Sequence, residues 1–491
     1  MNAVSVREML HLERAWFAQG SDASALMEQA GWGIACSIQK FFPQPGLLVL
    51  FLGKGHNAGD ALCAAKHLRS WGWRLEIDAV FPEMEWATLT RQQFRALEAV
   101  PETPRKAQEP VVIVDALLGI GARGDLREPI LGAVRRLRER RLHQASPVVA
   151  LDLPTGLDAD TGNPGDDTVV ADYTFLIGAP KNGLLAAQAV NCVGRLEAID
   201  LGKVPAEVGN PQRRLIVPAS FPASLPLRPH DFHKGNAGRV SVVAGSVGME
   251  GASLLCATAA LRAGAGLVTL WVKQEILGAV LARATPELMV RGYQNWAEIV
   301  IEKADALVVG PGLGPMDETE FQLMSALLTS SQTPSVVDAD ALNAIALFHG
   351  HHCLREHHVI TPHPGEFLRL APNSAACSRE EACDHFTQCH PSILLLKGAR
   401  TLVQQRGGPL YHNSTGHAGM ATAGMGDVLS GVIAGLLAQG ILPVTAACAG
   451  SWICGRAAEL AVVRKFSSAH ALLATDLFDC IGSAILEWQT S

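Results

Sequence analysis

The chain has 491 residues, 48% of them hydrophobic and 18% charged, which is enough apolar material for more than one buried core. A net charge of −7 and a pI near 6.2 argue against a nucleic-acid or anionic-membrane surface as its main partner. The eleven cysteines are scattered and include no Cys-x-x-Cys pair, a pattern that suits buried thiols in a reducing compartment and not a disulfide framework.

At the start, MNAVSVREMLHLERAW places Arg7, Glu8, Glu13 and Arg14 where a signal peptide needs an apolar block. Short apolar runs then alternate with longer amphipathic segments. Residues 47–52, 74–80, 111–118, 147–153 and 172–178 read as buried strands. The arginine-rich run 135–141 reads as the wet face of a helix. The stretch 217–229, VPASFPASLPLRP, has four prolines and little periodicity, which suits a linker between a domain at 1–216 and another at 230–491. Beyond it, 239–245, 266–272, 305–310, 334–340, 357–361 and 392–398 read as further strands. Both halves are therefore expected to be α/β with mostly parallel sheets. The most apolar stretch, 428–463, is broken by Gln439, Pro443 and several glycines, so no membrane span is expected and the expected location is the cytoplasm.

In the first half, GKGHNA (Gly53 to Ala58) follows a predicted strand and opens an apparent helix. It fits the Gly-x-Gly-x-x-Ala form of the dinucleotide fingerprint, and Glu76 and Asp78 stand where a ribose-binding acid is expected. GIGARG at 119–124 is a weaker match. Asn57, Asp115 and Thr155 stand at predicted strand ends, where the crevice of a doubly wound sheet lies. An amide, a carboxylate and a hydroxyl together suit a hard cation. Ordinary turn chemistry is the plain alternative, because all three residue types favour strand-end turns.

MEQAG (27–31), GKGHNAGDALCAAKHL (53–68), VDALLGIG (114–121), LDLPTGLDADTG (151–162) and GAPKNGLL (178–185) resemble the N-terminal domain of NAD(P)HX epimerases. The resemblance implies a Rossmann-like sheet and a potassium ion at Asn57, Asp115 and Thr155. It implies ligand contacts at His56, Asn57, Ala58, Gly59 and Asp60, at Gly119, Ile120, Gly121, Ala122, Arg123, Gly124 and Asp125, and at Asp152. Asp152 would be the acid/base at the hydrated carbon, with Lys181 as helper. The family's loop usually reads Asn-Asn-Gly-Gly-Asp-Gly. Here it is His56-Asn57-Ala58-Gly59-Asp60-Ala61, so two alanines are expected to resist positive φ and to add methyls beside the ligand.

The second half carries the densest signal. In Asn413 to Gly431, NSTGHAGMATAGMGDVLSG, five glycines surround Asp427 just before an apolar run that reads as a buried helix. Glycines let backbone N–H groups converge on an anion at a helix N-terminus, and a transferring phosphoryl group also needs a base for the attacking hydroxyl. The plain alternative is a glycine-rich turn with Asp427 as N-cap. The histidine-rich segment HGHHCLREHH (349–358) matches no structural zinc spacing and is expected to bind no metal, or only adventitiously.

HKGNAGRVSVVAGSVGMEGA (233–252), GPGLG (310–314), TPHPGEF (361–367) and KGART (397–401), in that order before the glycine-rich segment, resemble the C-terminal domain of NAD(P)HX dehydratases, which is ribokinase-like. The resemblance places Ala252, Gly312 or its neighbour Gly314, His363 and Asp427 against the hydrated nucleotide. It places Lys397, Gly398, Ala399, Arg400, Thr401 and Gly426 at the ADP or ATP site, with Mg²⁺ implied by the nucleotide. The expected activity is epimerisation of R- and S-NAD(P)HX together with ADP-dependent dehydration of the S form, on NADHX and NADPHX as small-molecule substrates and in a homo-oligomer. A sugar or vitamin kinase with an N-terminal nucleotide-binding module is the alternative.

Overall fold

Runs of Val, Leu and Ile without polar alternation must be buried on both faces, and parallel sheets flanked by helices supply that burial in both halves of the chain. The structure is a computed structural model and describes residues 1–104, 109–122, 124–202, 204, 208–221, 225, 228–301, 303–464 and 468–490. It divides into two compact units, Met1–Leu215 and Ile216–Ser491. Within the stretch 217–229, residues 222–224, 226 and 227 lie outside the described residues.

The strands of the first unit are β1 (Asn2–Ala3), β2 (Leu47–Leu52), β3 (Arg74–Ala79), β4 (Val111–Ala116), β5 (Val148–Leu151), β6 (Tyr173–Ile177), β7 (Arg195–Ile199) and β8 (Asn210–Leu215). Six of them form a parallel sheet in the order β3-β2-β4-β5-β6-β7, while β1 and β8 pair antiparallel with each other. The chain runs outward from β2 to β3 and then returns to β4 on the other side of β2. The switch point lies between the carboxyl ends of β2 and β4, where a crevice opens in folds of this kind. Gly53 follows β2 there, and a Cβ on it would lie 1.9 Å from the carbonyl oxygen of Leu117. Gly53→Ala is therefore expected to cost about 2 kcal/mol or more of stability, read as a lower denaturant midpoint. An unchanged midpoint would contradict this close approach.

The second unit holds β9 (Arg239–Val243), β10 (Leu267–Lys273), β11 (Met289–Tyr293), β12 (Ala306–Val309), β13 (Ser335–Val337), β14 (His358–Ile360), β15 (Ile393–Leu396), β16 (Leu402–Gln404) and β17 (Leu410–His412). Their order is β17-β16-β15-β14-β13-β12-β9-β10-β11, parallel from β11 to β15, with β16 and β17 added antiparallel. Alternate residues face two cores. Val308 packs with the helices Glu250–Arg262 and Met425–Ala438, and Leu307 and Val309 pack into the opposite layer. The helix Pro443–Arg464 is long and apolar enough to cross a membrane, yet its most apolar window is 83% buried. It also carries the buried Arg456, paired with Glu459 at 3.0 Å and with Glu487 at 2.8 Å, as suits a core helix.

Candidate active sites

In the first unit the site grows from three strand ends. Asp115, on β4, is fully buried. Its carboxylate accepts from the Thr155 hydroxyl at 2.8 Å, from Thr155 N at 2.8 Å and from Leu117 N at 3.3 Å. Burial nevertheless pushes its pKa up to about 6. Asn57 donates through Nδ2 to the carbonyls of Leu118 at 2.9 Å and Leu151 at 3.1 Å, bridging β4 to β5. Its Oδ1 is buried and has no hydrogen-bond partner among the described residues. A buried acceptor left without a donor is costly, and a cation would satisfy it.

Asp152 follows β5 with φ +65°, one of few non-glycine residues in the left-handed region. The Lys181 ammonium donates to its Oδ1, and Ile177 N donates to the same oxygen at 3.2 Å. Lys181 is 1% exposed and also donates to Ile177 O at 3.0 Å. A buried ammonium held on a buried carboxylate, with strained backbone beneath it, is an unusual arrangement that points to chemistry. Asp60 lies near this pair. Burial, then the charges of Asp152 and Glu13, push its pKa well above the usual carboxylate range. Glu13, from the helix Val6–Ala18, is raised by burial as well. No sequence motif pointed to Glu13.

Two expectations are corrected here. Residues 56–61 are not a loop but the first turns of the helix His56–Ser70. Ala58 and Ala61 have ordinary φ, and their methyls are buried in the sheet–helix core. Glu76 and Asp78 are not free for a ribose either. They lie on the edge strand β3 and pair with Arg140 at 2.6 Å and Arg136 at 2.6 Å, both from the helix Ile130–Gln144. In the segment 119–125, Gly119 approaches Asn57, Ile120 packs partly against an apolar cluster, and Gly121, Ala122, Gly124 and Asp125 are exposed. Arg123 lies outside the described residues.

In the second unit, Gly424, at φ +88°, caps the helix Met425–Ala438, so Asp427 is its third residue and not its N-cap. The first helical hydrogen bond runs from Val428 N to Gly424 O at 3.1 Å, and the N–H groups of 425–427 precede it. Burial, then the neighbouring Asp338, push the Asp427 pKa up to about 7. Lys397 opposes that rise, while Asp340 and Glu366 add to it. Lys397 Nζ lies beneath Gly426, 3.2 Å from where a Cβ would stand. It is held by Asp338 Oδ1 at 2.9 Å and lies 3.9 Å from Glu366. Asp338 is itself fixed by the Ser430 hydroxyl at 2.7 Å and by Ala339 N at 2.8 Å.

The predicted nucleotide contacts converge only in part. Gly312 and Ala252 touch, since a Cβ on Gly312 would lie 2.9 Å from that of Ala252. Gly314 N donates to Asp340 at 2.9 Å, which ties this turn to the acidic group. His363 caps the helix Pro364–Leu370, its Nδ1 accepting from Gly365 N at 3.0 Å and Glu366 N at 3.4 Å. Its other nitrogen lies 3.4 Å from Glu366. Gly398 and Ala399 are exposed, Thr401 is half-buried, and Arg400 is buried, with its pKa pushed down to about 10. Sequence reasoning missed Asp338, Asp340 and Glu366. The strand-end rule that singled out Asp115 applies equally to Asp338, at the end of β13. In the histidine-rich segment, His351 bonds Leu370 O at 2.9 Å and stacks on His390, and His358 is buried.

Residues 240–482 match the family model for NAD(P)H-hydrate dehydratase, and residues 23–183 match the one for YjeF-related protein N-terminus. The chain is 35% identical to the bifunctional NAD(P)H-hydrate repair enzyme of Moorella thermoacetica, over 98% of this chain and 96% of that one. It is 34% identical to the protein of the same name from Escherichia coli, over 93% and 88%. A ribokinase-like superfamily protein from Enterococcus faecalis superposes with a TM-score of 0.50 at 27% identity, covering 58% of this chain and 100% of that one.

Proposed function

The chain belongs to the family of bifunctional NAD(P)H-hydrate repair enzymes, and on that premise we propose that its first unit interconverts R- and S-NAD(P)HX while its second dehydrates the S form to NAD(P)H. The observation that carries the second activity is Asp427, a carboxylate with pKa about 7 on the first turn of a glycine-rich helix N-terminus and beside Lys397. Hydroxide is a poor leaving group. In the proposed route Asp427 takes the proton of the ring hydroxyl as that oxygen attacks the terminal phosphorus of ADP, or of ATP, and the bridging P–O bond breaks to release AMP, or ADP. The N–H groups of 425–427 and Lys397 stabilise the transferring charge. The ring nitrogen's lone pair then expels phosphate from C6, and loss of a proton from C5 restores the dihydronicotinamide. ADP is the preferred cosubstrate in this reading. Four neighbouring carboxylates, Asp338, Asp340, Glu366 and Asp427, against one ammonium fit a Mg²⁺ ion that would bring positive charge to the nucleotide phosphates. A sugar or vitamin kinase would instead accumulate a stable phosphate ester.

For the first unit, Asp152 is the proposed acid/base at the hydrated carbon, and Lys181 sets its charge and direction. Asn57 Oδ1, left without a donor, together with Asp115 and the Thr155 hydroxyl fits a potassium ion. Such an ion would supply positive charge beside the substrate's phosphates. Asn57→Ala is expected to raise the KCl concentration that half-activates epimerisation about tenfold or more, with dehydration of pure S-NADHX unchanged. An unaltered KCl dependence would remove the ion from this place.

A further inference from the structure

Away from both sites, Glu28, Cys63 and His67 bring three metal-binding atoms within 4.8 Å of one another. Cys63 and His67 are one turn apart on the helix His56–Ser70 and so share a face, while Glu28 comes from the adjoining helix Ala23–Phe41. Cys63 Sγ lies 2.9 Å from Glu28 Oε2, and His67 Nε2 lies 3.5 Å from Glu28 Oε1. Bonds of about 2.3 Å to sulfur and about 2.0 Å to nitrogen or oxygen place tetrahedral ligand atoms roughly 3–4 Å apart, close to this spacing. His67 Nε2 is buried without a hydrogen-bond partner among the described residues. Trp32 stands edge-on against that ring at 5.1 Å and limits its rotation. Cys63 is fully buried, while the side chains of Glu28 and His67 remain 42% and 22% exposed, so solvent reaches two of the three residues.

We propose that Glu28, Cys63 and His67 bind a thiophilic divalent cation, with Zn²⁺ as the fitting ion. Sulfur, imidazole and carboxylate in an open three-ligand set match its preferences. Binding forms the metal–sulfur bond and releases the thiol proton to water. The Lys66 ammonium, which now donates to Glu28 Oε1, gives up that carboxylate to the metal. The ion would fasten the helix that carries Asn57 and Asp60 to its neighbour.

The test is a cobalt titration of the full chain under reducing conditions. A thiolate-to-cobalt charge-transfer band is expected to saturate with a single equivalent, to be displaced by Zn²⁺ and to vanish in Cys63→Ser. His67→Gln is expected to weaken Zn²⁺ binding about 100-fold, and Lys66→Gln to tighten it about tenfold because the competing ammonium is gone. The gain in Lys66→Gln separates ligand competition from misfolding. Absence of the band in the folded chain, a band indifferent to Cys63→Ser (as binding by the histidines of 349–358 would give), or no gain in Lys66→Gln overturns the proposal.

Discussion

Asp427→Asn is expected to lower the rate of S-NAD(P)HX dehydration about 10³-fold, with KM and epimerisation little changed. The amide keeps the size of the side chain but cannot accept the hydroxyl proton. The helix N-terminus and Lys397 remain, so substrate and nucleotide still bind. The same residue fixes the pH profile. Its pKa of about 7 is raised by burial and by Asp338, and the base form predominates only above it. The dehydration kcat/KM should therefore fall about tenfold per unit below that pKa and level off above it. The stability consequence has the opposite sense. The folded state holds this proton more tightly than the unfolded chain does, so the stabilisation is present at low pH and is lost as pH rises through about 7. A pH profile without an inflection near neutrality, or an active Asp427→Asn variant, would move the base elsewhere.

Asp152→Asn is expected to slow epimerisation about 10³-fold while dehydration of the S form continues. Asparagine suits the test because it tolerates the φ of +65° at this position, where alanine would add backbone strain. The variant leaves Lys181 buried without its carboxylate, so some loss of stability is expected and thermal unfolding should be measured alongside. Lys181→Met removes the charge from the other side and should reproduce the defect. An R-form consumed at the wild-type rate in a folded Asp152→Asn chain would leave the first unit without its proposed acid/base.

The central strands legible in the sequence are those whose burial is uniform, while 74–80, expected as a buried strand, is the half-exposed edge strand β3. LLVLFL has no polar residue and can only be a central strand, whereas RLEAI at β7 alternates charge and gives no such signal. The missed β16 and β17 are three residues each and follow β15 antiparallel with no helix between them, so the alternation of strands and helices that marks the parallel strands is absent there. Motifs placed Asp427 at a helix N-terminus, though just before the helix and not in its first turn, and Asp115 at a strand end like Thr155, because glycine spacing and strand ends are local features. What escaped was assembled from afar. Asp338 reaches Lys397 across 59 positions of sequence, and the acids of β3 are neutralised by arginines from a helix some sixty positions on, which no local pattern announces. The alanines of 56–61 misled for a related reason. Their backbone conformation depends on where the helix begins, and it begins at His56.

Dihydronicotinamide absorbance, followed on an R/S mixture of NADHX with ADP and Mg²⁺, then with ATP, then without nucleotide, tests the central claim most directly. A nucleotide-dependent rise that runs to completion is the expected result, since one unit removes the S form and the other replenishes it. A rise that halts at the S-form fraction would contradict epimerisation by the first unit, and no rise with either nucleotide would contradict the repair function itself.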